Sequence, residues 1–301
     1  MSVRVKAGSR VSENQAISKA SDYGLLIKLR LTSTVVFSSV MAYLITVPTV
    51  KWFDVLILAA GGFLVTGAAN SLNQVLEKDF DRLMKRTKDR PIAACRMSQS
   101  EGVMAAGFMS MVGITLLALF NPWTAFLGTL AMVLYAFVYT PLKRISPVAV
   151  FVGAIAGALP VLIGCVAAEG RFTGFAILLF SIQFFWQFPH FWSIAWLGFD
   201  DYKKAGYKFV PEQNGRPDIS IGLQSLLYSL FLMGVIGIAY GMGRIAIGPA
   251  IIAILVSIGF SILSYRFYRN QNRKSALALM FYSLGYIPLV LLIFLIDKIV
   301  F

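Results

Sequence analysis

The residues best suited to chemistry in this sequence are its carboxylates. Asp and Glu supply only 14 of the 301 residues, and eight of these fall in two stretches: Glu77, Asp79, Asp81 and Asp89, then Asp200, Asp201, Glu212 and Asp218. In the first, Asn73, Glu77 and Asp81 are spaced i, i+4, i+8. On a continuous helix they stack along one face, with Asn70 close above Asn73. Two carboxylates and an amide oxygen on one face make a hard-oxygen site suited to Mg²⁺ that also holds substrate phosphates. The same spacing suits a solvated helix end whose acids pair with Lys78, Arg82 and Lys85. The cations that follow, Arg82, Lys85, Arg86, Lys88 and Arg90, can clamp a diphosphate, arginine gripping its oxygens two at a time. They serve equally as plain positive charge marking one face of a membrane. The one histidine, His190, sits in the aromatic run Trp186-Gln-Phe-Pro-His-Phe-Trp192. Inside an apolar segment it is either a functional group or an interhelical hydrogen-bond partner.

The elements that must position these residues follow from composition. With 58% hydrophobic and 14% charged residues, the chain is far more apolar than a soluble domain, which carries about 25% charged residues. Apolar runs recur at close to the ~20 residues needed to cross a bilayer. Nine spans are predicted, at roughly 24–48, 53–76, 102–120, 123–140, 147–168, 173–197, 220–242, 245–265 and 276–297. The fold class is therefore all-α: a polytopic membrane protein with a polar tail (1–22), one membrane domain (23–301) and two larger loops (77–101 and 198–219) on the cytoplasmic side. Charge placement tests the count independently. Of 27 Lys and Arg residues, all but Lys51, Arg171, Arg244 and Lys298 fall on one side, as expected of a cytoplasmic face. The N-terminus is then cytoplasmic and the C-terminus opposite, in the inner membrane if the chain is bacterial. The net charge of +13 follows from this topology and from attraction to anionic lipid, so no nucleic-acid partner is required. Residues 1–22 show no apolar run before a small-residue cleavage site, so no removable leader is expected. Cys95 and Cys165 form no paired motif and are read as reduced.

The run from Asn70 to Pro91 resembles the first signature of the UbiA-type intramembrane prenyltransferases. Within that family it is most similar to the branch that farnesylates protoheme. The second stretch, Trp186 to Trp192 followed by Asp200-Asp201-Tyr202, and the segments Tyr139 to Arg144 and Gly153 to Pro160 carry the same resemblance, which covers the whole chain in motif order. Gln74 and Glu77 stand where many relatives have Asp, and the Lys28-Leu29-Arg30 and Ala93 to Arg96 segments depart from the common pattern. The resemblance implies a UbiA-type bundle in which Asn73, Glu77, Asp81, Asp200 and Asp201 hold Mg²⁺. Arg82, Lys85, Arg86, Arg90, Lys143 and Arg144 meet the diphosphate, and Asn70, Trp186 and His190 complete the binding site.

The implied reaction moves a farnesyl group from farnesyl diphosphate to a vinyl group of heme b, with Mg²⁺ neutralising the departing diphosphate. The apolar cavity shields the allylic cation from water. His190 then binds the heme iron, contacts a propionate or handles a proton. The implied partners are the two substrates, the bilayer and a downstream heme-handling enzyme. Two rivals stand beside this reading: prenyl transfer to an aromatic quinone precursor or a chlorin, and a transporter or lipid-binding protein without chemistry. Against the last, no internal repeat is visible and the charged residues cluster at one face, unlike the midplane sites of transporters. Loss of Asp81, at a loop-facing helix end, is expected to stop turnover and leave the fold intact.

Overall fold

Inside a bilayer the backbone must satisfy its own hydrogen bonds, so apolar runs of this length become helices. The computed structural model describes residues 19–300; most of the polar tail lies outside the described residues. Nine long helices follow in order: α1 (Leu29–Thr46), α2 (Trp52–Asp81), α3 (Gln99–Ala118), α4 (Pro122–Leu142), α5 (Val148–Glu169), α6 (Gly174–Leu197), α7 (Ser220–Gly241), α8 (Ile247–Asn270) and α9 (Arg273–Val300). All but α6 are long and apolar enough to cross a membrane. Helix α6 falls short in apolarity alone, because it carries Gln183, Gln187, Pro189 and His190. Its 24 residues pack on α5, α7 and α9 as part of the same bundle. The protein is thus a multi-pass integral membrane protein.

Helices α1, α5, α6 and α9 pack in sequence around a closed centre. Helices α2, α3 and α4 bridge α1 to α5 on one flank, and α7 and α8 bridge α6 to α9 on the other. Small residues make the central packing possible, as is usual between membrane helices. A side chain at Gly164 of α5 would collide with the Ser39 carbonyl oxygen of α1, and one at Gly157 would collide with Gln187 Oε1 of α6.

Three local features separate the helices from the predicted spans, and all lie at the end of the bundle that carries the acidic stretches. The first span breaks at Lys28, whose backbone is left-handed (φ 51°, ψ 58°). Helix α2 runs on for 30 residues to Asp81, which keeps Asn73, Glu77 and Asp81 on one continuous helix. Helix α4 passes through a π-helical segment, Leu134–Tyr139; such wide turns often mark functional sites. The loop after α2 closes with Ser98 and Glu101 in a reciprocal capping box at the start of α3. The loop after α6 holds a short helix, Phe199–Lys204, and two-residue strands joined through Asn214-Gly215, both at positive φ as a tight hairpin turn requires. Cys95 and Cys165 are free.

Substituting Gly164→Ala should lower the apparent Tm of the detergent-solubilised protein, since overpacking costs about 1–3 kcal/mol. Gly107→Ala, in open space on α3, should leave the Tm unchanged or raise it slightly, because alanine is the better helix former. Equal melting of the two variants would contradict the close approach of α1 and α5.

Candidate active site

The ends of α1, α2, α4, α5 and α6 surround a cavity of about 310 Å³. One wall is charged, with Asn73, Glu77 and Asp81 from α2 and Lys28, Arg86, Arg90 and Lys143 around them. Much of the remaining lining is apolar, with Leu31, Val150, Phe191, Ile194 and Ala195 beside His190. The helical spacing of Asn73, Glu77 and Asp81 therefore does place all three on one face. All three are buried, and Asp81 is 0% exposed.

Carboxylates removed from water need partners, and the loop after α2 folds back to provide one. Arg90 Nη1 donates to both oxygens of Asp81, at 2.8 and 2.7 Å, and stands 3.9 Å from Glu77. Thr87 Oγ1 donates to the Asp81 carbonyl at 2.9 Å and anchors the turn. Glu77 forms an ion pair with Lys143, from just beyond α4. Asn73 Nδ2 donates at 2.9 Å to Glu77 and at 2.9 Å to Thr140 Oγ1, while its Oδ1 accepts from Lys28 Nζ at 2.8 Å. Burial pushes the Lys143 amine below the ordinary lysine value; the Glu77 carboxylate opposes this and neighbouring Arg90 adds to it. Burial and the charge of Glu77 drive the Tyr207 phenol upward, so it stays protonated beside that carboxylate.

Four cationic side chains thus face two carboxylates in the cavity. Positive charge packed in excess at the edge of an apolar bundle favours an anionic ligand. The acids and the amide oxygen are hard donors on the same wall. This set fits Mg²⁺, which is commonly held by one or two carboxylates together with substrate phosphates rather than by an all-protein cage.

Several residues singled out from the sequence lie elsewhere. Asn70 turns away from the cavity to donate to the Ile27 carbonyl (3.2 Å) and Thr32 Oγ1 (3.1 Å), and Gln74 donates to Leu25 and Leu26. Both hold the chain break before α1. Arg82 bonds the Ala93 carbonyl and the Cys95 Sγ, Lys85 is exposed, and Arg144 lies over the Phe80 ring. The buried acids pair with Arg90 and Lys143 rather than with Lys78, Arg82 or Lys85. Asp81 is not at a solvated helix end, so its outright removal would strand Arg90.

Among the described residues no three His, Cys, Asp or Glu side chains converge to hold a metal. Asp200 and Asp201 occupy the first turn of the short helix Phe199–Lys204, where the helix dipole favours acids. The two distant segments do meet, but through tyrosines. Tyr202 and Tyr207 line the cavity, Arg86 Nη2 donates to the Tyr202 hydroxyl at 3.3 Å, and the Tyr207 ring packs 5.9 Å from Phe80.

Sequence reasoning passed over Lys28, Tyr135, Tyr139, Tyr202 and Tyr207 as cavity residues. The i, i+4 spacing of Tyr135 and Tyr139 ahead of Lys143 was the available signal for two of them. His190 lies on the apolar wall with its Nδ1 2.8 Å from Ser283 Oγ of α9. Trp186 stacks on the imidazole, with ring centres 4.9 Å apart and planes at 17°.

The chain is 40% identical over 289 residues to the protoheme IX farnesyltransferase of Christiangramia forsetii, covering 95% of this chain and 96% of that protein. Its fold matches a digeranylgeranylglyceryl phosphate synthase with a TM-score of 0.78 at 17% identity, over 94% of this chain and 99% of the other. It also matches a UbiA homolog from Archaeoglobus fulgidus bound to DMAPP and Mg²⁺, with a TM-score of 0.71 at 13% identity over 93% of this chain and 100% of the other. The model of the UbiA prenyltransferase family matches residues 34–285, and with a relative of such similarity along almost its full length, the chain belongs to the UbiA prenyltransferase family.

Proposed function

We propose that this protein transfers the farnesyl group of farnesyl diphosphate to a vinyl group of heme b, giving heme O and releasing diphosphate. The observation that carries the reading is the division of one cavity into a wall with surplus cations and an apolar wall bearing His190. It is supported by the naming of relatives about 40% identical along most of the chain as protoheme IX farnesyltransferases. The basic face is the cytoplasmic one, in the inner membrane if the chain is bacterial.

In this proposal Asn73, Glu77 and Asp81 would hold Mg²⁺ for the diphosphate, as the donor set permits. Bound there, the ion supplies Lewis-acid neutralisation of the leaving group. Asp200 and Asp201 would be the further carboxylates of the same metal site, as the family resemblance implies. Arg86, Arg90, Lys143 and Lys28 face the diphosphate and stabilise its growing charge. Leu31, Val150, Phe191 and Ile194 exclude water from the farnesyl chain while its carbon–oxygen bond breaks. The vinyl electron pair forms the new carbon–carbon bond, and water adds to the resulting cation with loss of a proton. No oxidant or reductant enters, since farnesyl diphosphate, the vinyl group and water account for all the atoms of the hydroxyethylfarnesyl side chain and of diphosphate. A downstream heme-handling enzyme is the expected recipient of the product.

Incubating the purified protein with heme b, farnesyl diphosphate and Mg²⁺ should yield a heme heavier by a hydrated farnesyl unit. Prenylation of an aromatic quinone precursor or a chlorin in its place would overturn the assignment of acceptor. Chelating Mg²⁺ should abolish transfer, and adding it back should restore activity.

Asp81→Asn keeps a hydrogen-bonding partner for Arg90 and should cut turnover by about 10²–10³-fold, the usual loss on removing one electrostatic element of a site. Its melting temperature should stay close to that of the parent. Asp201→Asn should raise the Mg²⁺ concentration giving half-maximal rate; an unchanged requirement would remove the second acidic pair from the metal site.

A further inference from the structure

The hydrogen bonds around His190 fix which of its nitrogens carries the proton. Ser283, on α9, is 0% exposed. Its Oγ lies 2.6 Å from the Met280 carbonyl oxygen and 2.8 Å from His190 Nδ1. A carbonyl cannot donate, so at 2.6 Å the single hydroxyl proton must lie between those two oxygens; otherwise lone pairs would confront one another. The hydroxyl then has only a lone pair for the imidazole, and Nδ1 must be the donor. Trp186 completes the clamp. It stacks on the ring and donates from Nε1 to the Ser283 carbonyl at 2.8 Å, so one residue of α9 holds both aromatic groups of α6. His190 Nε2 is left as a bare lone pair with no hydrogen bond to the described residues, on a residue that lines the cavity.

A neutral imidazole with a backed Nδ1–H and a free Nε2 is the arrangement of a metal-binding histidine oriented by an outer partner. It is unsuited to a carboxylate, whose oxygens would meet the lone pair. We infer that His190 Nε2 is the ligand for the iron of the porphyrin substrate, and that Ser283 is the positioning residue that sets the tautomer and aims the ring. This rests on heme b being the acceptor.

The test uses full-length protein in lipid nanodiscs, titrated with ferric heme b in the absence of farnesyl diphosphate and read by optical and electron paramagnetic resonance spectra. The parent protein should show imidazole-ligated iron, and His190→Ala should lose that signature. Ser283→Ala, at an unchanged melting temperature, should bind heme about 10–100-fold more weakly, the usual loss when an outer partner of a metal ligand is removed. Ser283→Thr, which keeps the hydroxyl, should return the affinity toward that of the parent. An unaltered spectrum in His190→Ala overturns the iron ligation alone. Parent-like affinity in Ser283→Ala, or a threonine variant as weak as the alanine one, overturns the positioning role. Failure of the parent protein to bind heme at all would overturn the proposed acceptor along with both assignments.

Discussion

The pairing of Asp81 with Arg90 is the contact on which the rest of the site depends. Asp81 is fully buried at the end of α2, and its two oxygens are held by one guanidinium from a loop nine residues further on. A carboxylate so far from water demands a compensating charge, and this demand folds the loop inward instead of leaving it in solvent. Arg86 and Arg90 are carried to the cavity with it. Lys143 meets Glu77 by the same logic from another helix. The result is a basin of opposed charges with more cationic side chains than carboxylates, Lys28, Arg86, Arg90 and Lys143 against Glu77 and Asp81.

The apolar wall obeys a different constraint. Helix α6 carries Gln187 and His190 in a setting where polar groups are costly, and the structure gives both side chains a partner on a neighbouring helix. Gln187 Nε2 bonds the Ala154 carbonyl of α5 at 2.9 Å, and the glycine opposite, Gly157, makes room for its side chain. His190 is tied to α9. Polar side chains thus fasten the central helices to one another near the site, and Ser257–Tyr286 and Tyr282–Val256 hydrogen bonds tie α8 to α9 in the same way.

Much of this was legible in the sequence. Hydropathy and the one-sided distribution of Lys and Arg gave nine helices, and helical spacing put Asn73, Glu77 and Asp81 on one face. What spacing could not supply was the path of the loops. Nothing in the order of Arg82, Lys85, Arg86 and Arg90 says which reach inward; that is settled by turns such as the Thr87 contact with the Asp81 carbonyl. Nor does spacing say that Asn70 and Gln74 turn from the cavity to satisfy backbone carbonyls exposed by the break at Lys28. The pair Asp200 and Asp201 stands out in the sequence, but spacing gives no sign that the neighbouring Tyr202 lines the cavity. Helix ends read well from sequence because their pattern is local, and the loops read poorly because their partners are distant.

The wide π-helical turn in α4 lets Leu134–Tyr139 carry one residue more than a regular helix would over nearly the same rotation. A residue inserted into a plain α-helix turns everything after it by about 100°, whereas i→i+5 bonds absorb the extra residue locally. Lys143 thereby keeps its bearing on Glu77. The surplus is spent where Tyr135 and Tyr139 line the cavity, so the helix gains room beside the site without losing its phase beyond it.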